Sequence, residues 1–193
     1  MPRTRKLFPI YGSSLANNML AALVHDRIVY GFVGDYVAAY DRRGILGGPA
    51  RDRELAETIG REIVLALIVE TRSALPRFFG KQKAGKLKPE EREAIELFFR
   101  ELVGALARAQ NWNAEDRRQF RRDLALYSEF SERRDAPAPK RKQASTQSEE
   151  APFVARVALL LDPSMLEQAR RAVRKFYAGI APFARKLLRR TLG

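Results

Sequence analysis

Apolar side chains recur at three- and four-residue steps along most of the chain, and nowhere do they alternate with polar ones long enough to make a sheet. The first such series is Leu15, Met19, Leu20, Leu23, Val24, Ile28, Phe32, Tyr36 and Tyr40. It predicts one long helix over residues 14–40, capped by Ser13 or Ser14. That helix is apolar on much of its circumference, with Gly31 and Gly34 as small gaps, as a central buried helix should be. Glycines 44, 47 and 48 and Pro49 then read as a loop. A second helix fits 52–75, with Leu55, Ile59, Ile63, Ala66 and Leu67 inward, a Glu57–Arg61 pair outward and Pro76 as its stop.

Glycines and lysines between Phe79 and Pro89 make a basic loop. Pro89 at a first helical position, followed by Glu90, Glu91 and Glu93, opens a third helix that buries Ile95, Phe98, Phe99, Leu102, Val103 and Leu106. Asn113 caps a fourth, which turns Phe120, Leu124, Tyr127 and Phe130 inward. Residues 135–152 contain no large apolar side chain and read as a flexible linker.

The short apolar run 153–161 is strand or helix by periodicity alone. It is read as helix because the chain offers no strand partner. Asp162 followed by Pro163, or Ser164 followed by Glu167, starts a last helix that reaches about residue 192 and is kinked at Gly179 or Pro182. The expected fold is all-α: a helical bundle of about four helices (1–134), the linker (135–152), and a basic amphipathic helical segment (153–193) packed back on the bundle.

Charge changes this picture more than any motif does. The chain carries 36 Lys+Arg against 23 Asp+Glu, a formal net charge of +13, in 193 residues. Residues 151–193 hold 9 basic and 2 acidic side chains, so 7 of the 13 net charges come from the last 43 residues. At 100° per residue the last helix gathers Leu166, Val173, Phe176, Ile180, Leu187 and Leu188 on one arc. Arg170, Arg171, Arg174, Lys175, Arg185, Lys186, Arg189 and Arg190 mostly take the other, a stripe roughly 30 Å long on a straight helix. With few acids near it in sequence, the stripe is expected to meet a polyanion. Smaller clusters extend the candidate surface: Arg117, Arg118, Arg121 and Arg122 on the fourth helix, Lys81, Lys83 and Lys86 in the basic loop, Arg42 and Arg43 after the first helix, and 140–142 in the linker. For the fourth helix, neighbouring Asp116 and Asp123 make a solvated, paired face the competing reading.

Candidate chemistry is sparse. There is no cysteine, which excludes disulfides, thiolate metal sites and a cysteine nucleophile. His25, the single histidine, stands beside Asp26 on an apolar helix and reads as a core or boundary residue. No phosphate-cradling or nucleophile-elbow glycine motif occurs in a strand-to-helix setting. Asp26 and Asp35 are nine residues apart, on opposite sides of an ideal helix, so one helix cannot pair them as acid and base. The spacing of Phe32, Tyr36 and Tyr40 points to a core stripe before a base-stacking one. Trp112 either anchors its turn or presents its ring to a base. No enzyme, cofactor or metal site is expected.

The first 25 residues faintly imitate a signal peptide, but Asn17, Asn18, Pro9 and Gly12 interrupt the apolar region, and a cytoplasmic location is expected. The run 63–69 is too short to cross a bilayer. These features point to sequence-independent binding of RNA or DNA backbone by a small subunit of a larger nucleoprotein assembly, alongside other protein subunits. Small basic helical subunits of RNA-guided effector complexes are similar in architecture alone. The alternatives are docking of the basic amphipathic helix on an anionic membrane or a protein partner, and a structural adaptor role.

Overall fold

The computed structural model describes residues 7–25, 28–42, 45, 48–80, 87–135 and 150–193. Among these the fold is all-α, with no strand: α1 (Ile10–His25), α2 (Ile28–Tyr40), α3 (Pro49–Ala74), α4 (Pro89–Ala109), α5 (Ala114–Asp135), α6 (Pro152–Leu161), α7 (Leu166–Ala178) and α8 (Ile180–Leu192). Short 3-10 turns follow α3 (Leu75–Phe79) and α6 (Pro163–Met165).

The central helix is α3. Every side chain from residue 62 to residue 70 is buried, on all sides of the helix, because α2, α5, α6 and α8 all pack against it. An apolar run too short for a bilayer is here wrapped by protein. This corrects the expectation that the first helical segment is the central one. The expected helix over 14–40 is helical over Ile10–His25 and Ile28–Tyr40, and residues 26–27 between them lie outside the described residues. α1 packs chiefly on α4, while α2 lies against α1, α3 and α7. Gly31 and Gly34 stand on the exposed side of α2, where nothing approaches them.

Gly12 sets the distance between α1 and α4. A methyl group there would lie 2.3 Å from the Phe98 carbonyl oxygen and 2.8 Å from the Leu102 nitrogen. The helices therefore touch backbone to backbone, and Leu15, Ala16 and Met19 of α1 are fully buried. Ser13 is not a cap, since α1 has already begun at Ile10; its hydroxyl donates to Glu101 Oε1 at 2.6 Å, beside Arg108 at 2.7 Å. The Ser14 hydroxyl likewise turns back to the Ile10 carbonyl.

α3 ends at Ala74, and Pro76 falls inside the 3-10 turn, which Gly80 closes in the left-handed conformation at φ 71°. The α4 start uses its acids as expected, with Glu91 accepting the Lys88 backbone N–H at 2.7 Å. Asn113 caps α5 by accepting from the Glu115 and Asp116 amides, and Asp116 accepts the Asn113 N–H in return. Trp112 anchors this turn, its ring 4.4 Å from that of Phe120.

The run after the linker is helical. Its start moves the expected linker boundary: Pro152 is already in α6, Ala151 is buried and Glu150 is held in ion pairs. Residues 136–149 of the expected linker lie outside the described residues. Asp162 is the cap of the following turn, accepting from the Ser164 and Met165 amides, so of the two capping devices this one is used. The last helix is interrupted at Gly179, three residues before Pro182. A proline there has no N–H for the Ala178 carbonyl, so the helical ladder fails at that point and restarts as α8. α6 and α8 lie on α3, α8 also on α1, and one hydrophobic core runs from Leu15 through Ile63 to Leu188. The side chain of Asn18 in α1 donates to the Thr191 hydroxyl of α8 at 2.9 Å, tying these two helices together.

Candidate polyanion-binding face

Ala169, Val173, Ile180, Ala184, Leu187 and Leu188 are buried, so the apolar arc of α7 and α8 is covered by the rest of the protein. Their cations consequently face outward. Arg171, Lys175, Lys186, Arg189 and Arg190 are exposed and Arg185 is half-exposed. None of the six has an ion-pair partner among the described residues.

Arg170 and Arg174 do not share this freedom. Glu150 bridges them, its two carboxylate oxygens 3.2 Å from Arg170 Nε and 2.7 Å from Arg174 Nη2. Glu167 holds Arg170 from the other side at 2.7 Å. The expectation that acids are too far to neutralise this helix is corrected for these two residues: Glu150 is distant in sequence, and the packing of α6 on α7 brings it within reach.

On α5, Arg117, Arg118, Arg121 and Arg122 are all exposed. Arg118 pairs with Glu115 at 3.4 Å and Arg117 Nε donates to the Trp112 carbonyl. Asp123, read from sequence as a neutralising neighbour of these arginines, is instead buried. It faces Arg156 at 2.8 Å and Arg61 at 3.4 Å. Arg61 therefore does not stand outward with Glu57. Lys81, Lys83 and Lys86 lie outside the described residues, as do Arg43 and 140–142.

Arg42 is withdrawn from the candidate surface by a second buried acid. Its Nε and Nη2 donate to Asp162 at 2.7 and 3.1 Å, the Tyr36 hydroxyl donates to the same carboxylate at 3.1 Å, and the Ser164 hydroxyl at 2.7 Å. The Arg42 guanidinium holds the Asp162 carboxyl down at about 2 against its burial. Burial, together with that carboxylate, raises the Tyr36 phenol to about 12. Around Arg156, Glu62 accepts from the Tyr127 hydroxyl and lies 3.5 Å from the Arg156 guanidinium. Burial and the Glu62 charge push the Tyr127 phenol up. These networks join α2 to the α6–α7 turn and α3 to α5 and α6. Sequence reading missed both, although an arginine inside the apolar run of α6 is a signal for a buried counter-charge.

Phe32 and Tyr36 are core residues, and Phe32 packs on Phe176 at 4.5 Å. His25 is the last residue of α1, its side chain outside the described set. No group of three or more His, Asp or Glu able to hold a metal occurs among the described residues. No described helix is long and apolar enough to cross a membrane.

One further cation joins α8 from elsewhere in the chain. Arg77, in the 3-10 turn after α3, lines a cleft of about 200 Å³ together with Ala74, Phe78, Arg185, Leu188, Arg189, Leu192 and Gly193. No known family, curated protein or solved structure matches the chain.

Proposed function

We propose that this protein binds the sugar-phosphate backbone of nucleic acid without reading base sequence, as a non-enzymatic helical subunit of a larger nucleoprotein assembly. The observation that carries the reading is the outward set Arg171, Lys175, Arg185, Lys186, Arg189 and Arg190, on helices whose opposite side is buried and with no acidic partner among the described residues. Such charge is held in place by packing while its counter-ions remain mobile, the condition under which phosphates bind by counter-ion release. The exposed α5 arginines supply a second patch. Insertion of α7 and α8 into a lipid surface would first have to strip their apolar face from the core, which favours the nucleic-acid reading over the membrane one.

The test is binding of labelled single-stranded RNA, single-stranded DNA and duplex DNA over a salt series. The expected result is a linear fall of log affinity with log salt, shared across sequences. Reversal of Arg171, Lys175, Lys186 and Arg190 to glutamate is expected to lower affinity at least about tenfold and flatten the slope by about three, with helix content unchanged. Equal binding by this variant, or none by the wild type at low salt, overturns the reading.

A further inference from the structure

We infer that the outer side of α6, with the groove at its C-terminal end, docks an acidic amphipathic helix from a protein partner. The inference rests on the assembly part of the reading above and uses none of the cations of α8.

α6 is buried on one side and bare on the other. Phe153, Val154, Val157, Ala158 and Leu161 are in the core. At 100° per residue Leu159 stands about 160° around the helix from Val157 and Leu161, and it is 58% exposed. Leu160, the next residue, is 38% exposed. Exposed leucines standing singly are ordinary on a protein surface. These two are consecutive, and Leu160 also lines a groove of about 360 Å³ between the end of α2, the start of α3 and the turn after α6. Ile45, Leu55, Leu161 and Pro163 supply its other apolar lining. Of its polar lining, Arg42, Asp162 and Ser164 are bonded to one another, and Asp41 and Arg51 complete it. A groove beside exposed leucines suits a helix that carries apolar anchors at three- and four-residue steps.

Charge selects the occupant. The chain carries a net charge of +13, so a second copy is repelled and an acidic partner attracted. Arg51 lines the groove. Arg121 and Arg122 are exposed on α5, the helix that Arg156 of α6 meets through Asp123 at 2.8 Å. None of these three arginines has an ion-pair partner among the described residues. A phosphate backbone would answer the arginines and leave the leucines in water. A helix with leucines on one side and carboxylates beside them answers both.

The test measures anisotropy of a labelled 18-residue peptide with leucines at three- and four-residue steps and glutamates beside them, at physiological salt. The controls are the same peptide with alanine for leucine and with lysine for glutamate. The wild type is expected to bind the leucine–glutamate peptide at least about fivefold more tightly than either control. Leu159→Ser with Leu160→Ser is expected to bring the leucine and alanine peptides within about twofold of each other, at unchanged helix content and oligonucleotide affinity. Leu159→Ser alone, at the more exposed position, is expected to lose at least about half of the preference. Leu97→Ser, at an exposed leucine of α4, is expected to keep all of it. Arg51→Gln is expected to weaken the glutamate peptide about twofold. Failure to distinguish the leucine peptide from the alanine one, or a preference that survives the changes at Leu159 and Leu160, overturns the docking face and leaves nucleic-acid binding standing. Self-association in sedimentation, or binding to phosphatidylglycerol vesicles, that these same substitutions abolish would assign the face to a second copy or to lipid and overturns the inference equally.

Discussion

Removing the Asp162 carboxylate separates three elements at once, and its cost can be worked from the contacts it makes. In Asp162→Ala the Ser164 and Met165 amides lose their cap, a change of about 1 kcal/mol. The Tyr36 hydroxyl is left buried without its acceptor, at about 1 to 2 kcal/mol. The Arg42 guanidinium is about a third exposed and returns to water, so the loss of its two hydrogen bonds is largely screened. The expected total is about 2 to 3 kcal/mol, a sizeable part of the 5 to 15 kcal/mol typical of a folded domain. Urea unfolding should show a midpoint lowered by at least about 1 M at an unchanged slope. Tyr36→Phe removes the orphaned hydroxyl, so the double variant should recover about 1 kcal/mol relative to additivity.

The pH dependence has a definite sign. The carboxyl is held at about 2 in the folded protein against 3.8 ordinarily. The unfolded chain therefore takes up the proton first, and stability from this group is full above pH 4 and lost as pH falls towards 2. The gap between wild type and Asp162→Ala should narrow across that window. A loss below 1 kcal/mol at pH 7, or additivity of the two substitutions, would refute the assignment of Asp162 as the latch.

Three further outcomes are expected. Gly12→Ala places a methyl against the Phe98 carbonyl and forces α1 from α4; at about 3 kcal/mol it should lower Tm by roughly 6 to 12 °C, and a fall under 2 °C would deny the close approach. Arg156→Met leaves Glu62 and Asp123, only 6% and 5% exposed, short of their shared cation. It should destabilise by about 3 kcal/mol in urea unfolding, whereas Met at exposed Arg121 should change stability by less than 0.5 kcal/mol. Glu150→Gln releases Arg174 while Glu167 still holds Arg170, so oligonucleotide affinity should rise with a salt slope steeper by about 0.7 and little change in stability. Unchanged affinity would place Arg174 outside the interface.

The all-α class, the α4 and α5 starts and the two-sided character of α7 and α8 are local properties. Each follows from spacing, caps and the dipole preference for acids at a helix start, and a chain reads these over one or two turns. Which helix is central was decided elsewhere. α2 is the more uniformly apolar in sequence, but α3 is buried on every side from residue 62 to 70 because four helices converge on it.

For the candidate face, the sequence placed every cation on its helix and had no means of pairing them. Arg170 and Arg174 meet Glu150 only because α6 packs on α7. Arg42 meets Asp162 across 120 residues, and Arg77 lines one cleft with Arg185 and Arg189 only where the end of α3 lies beside α8. Charge along a helix is fixed by composition and a 3.6-residue period. Whether a given charge is spent on a neighbour or left for a ligand depends on long-range contacts, and these exist only once the core has formed.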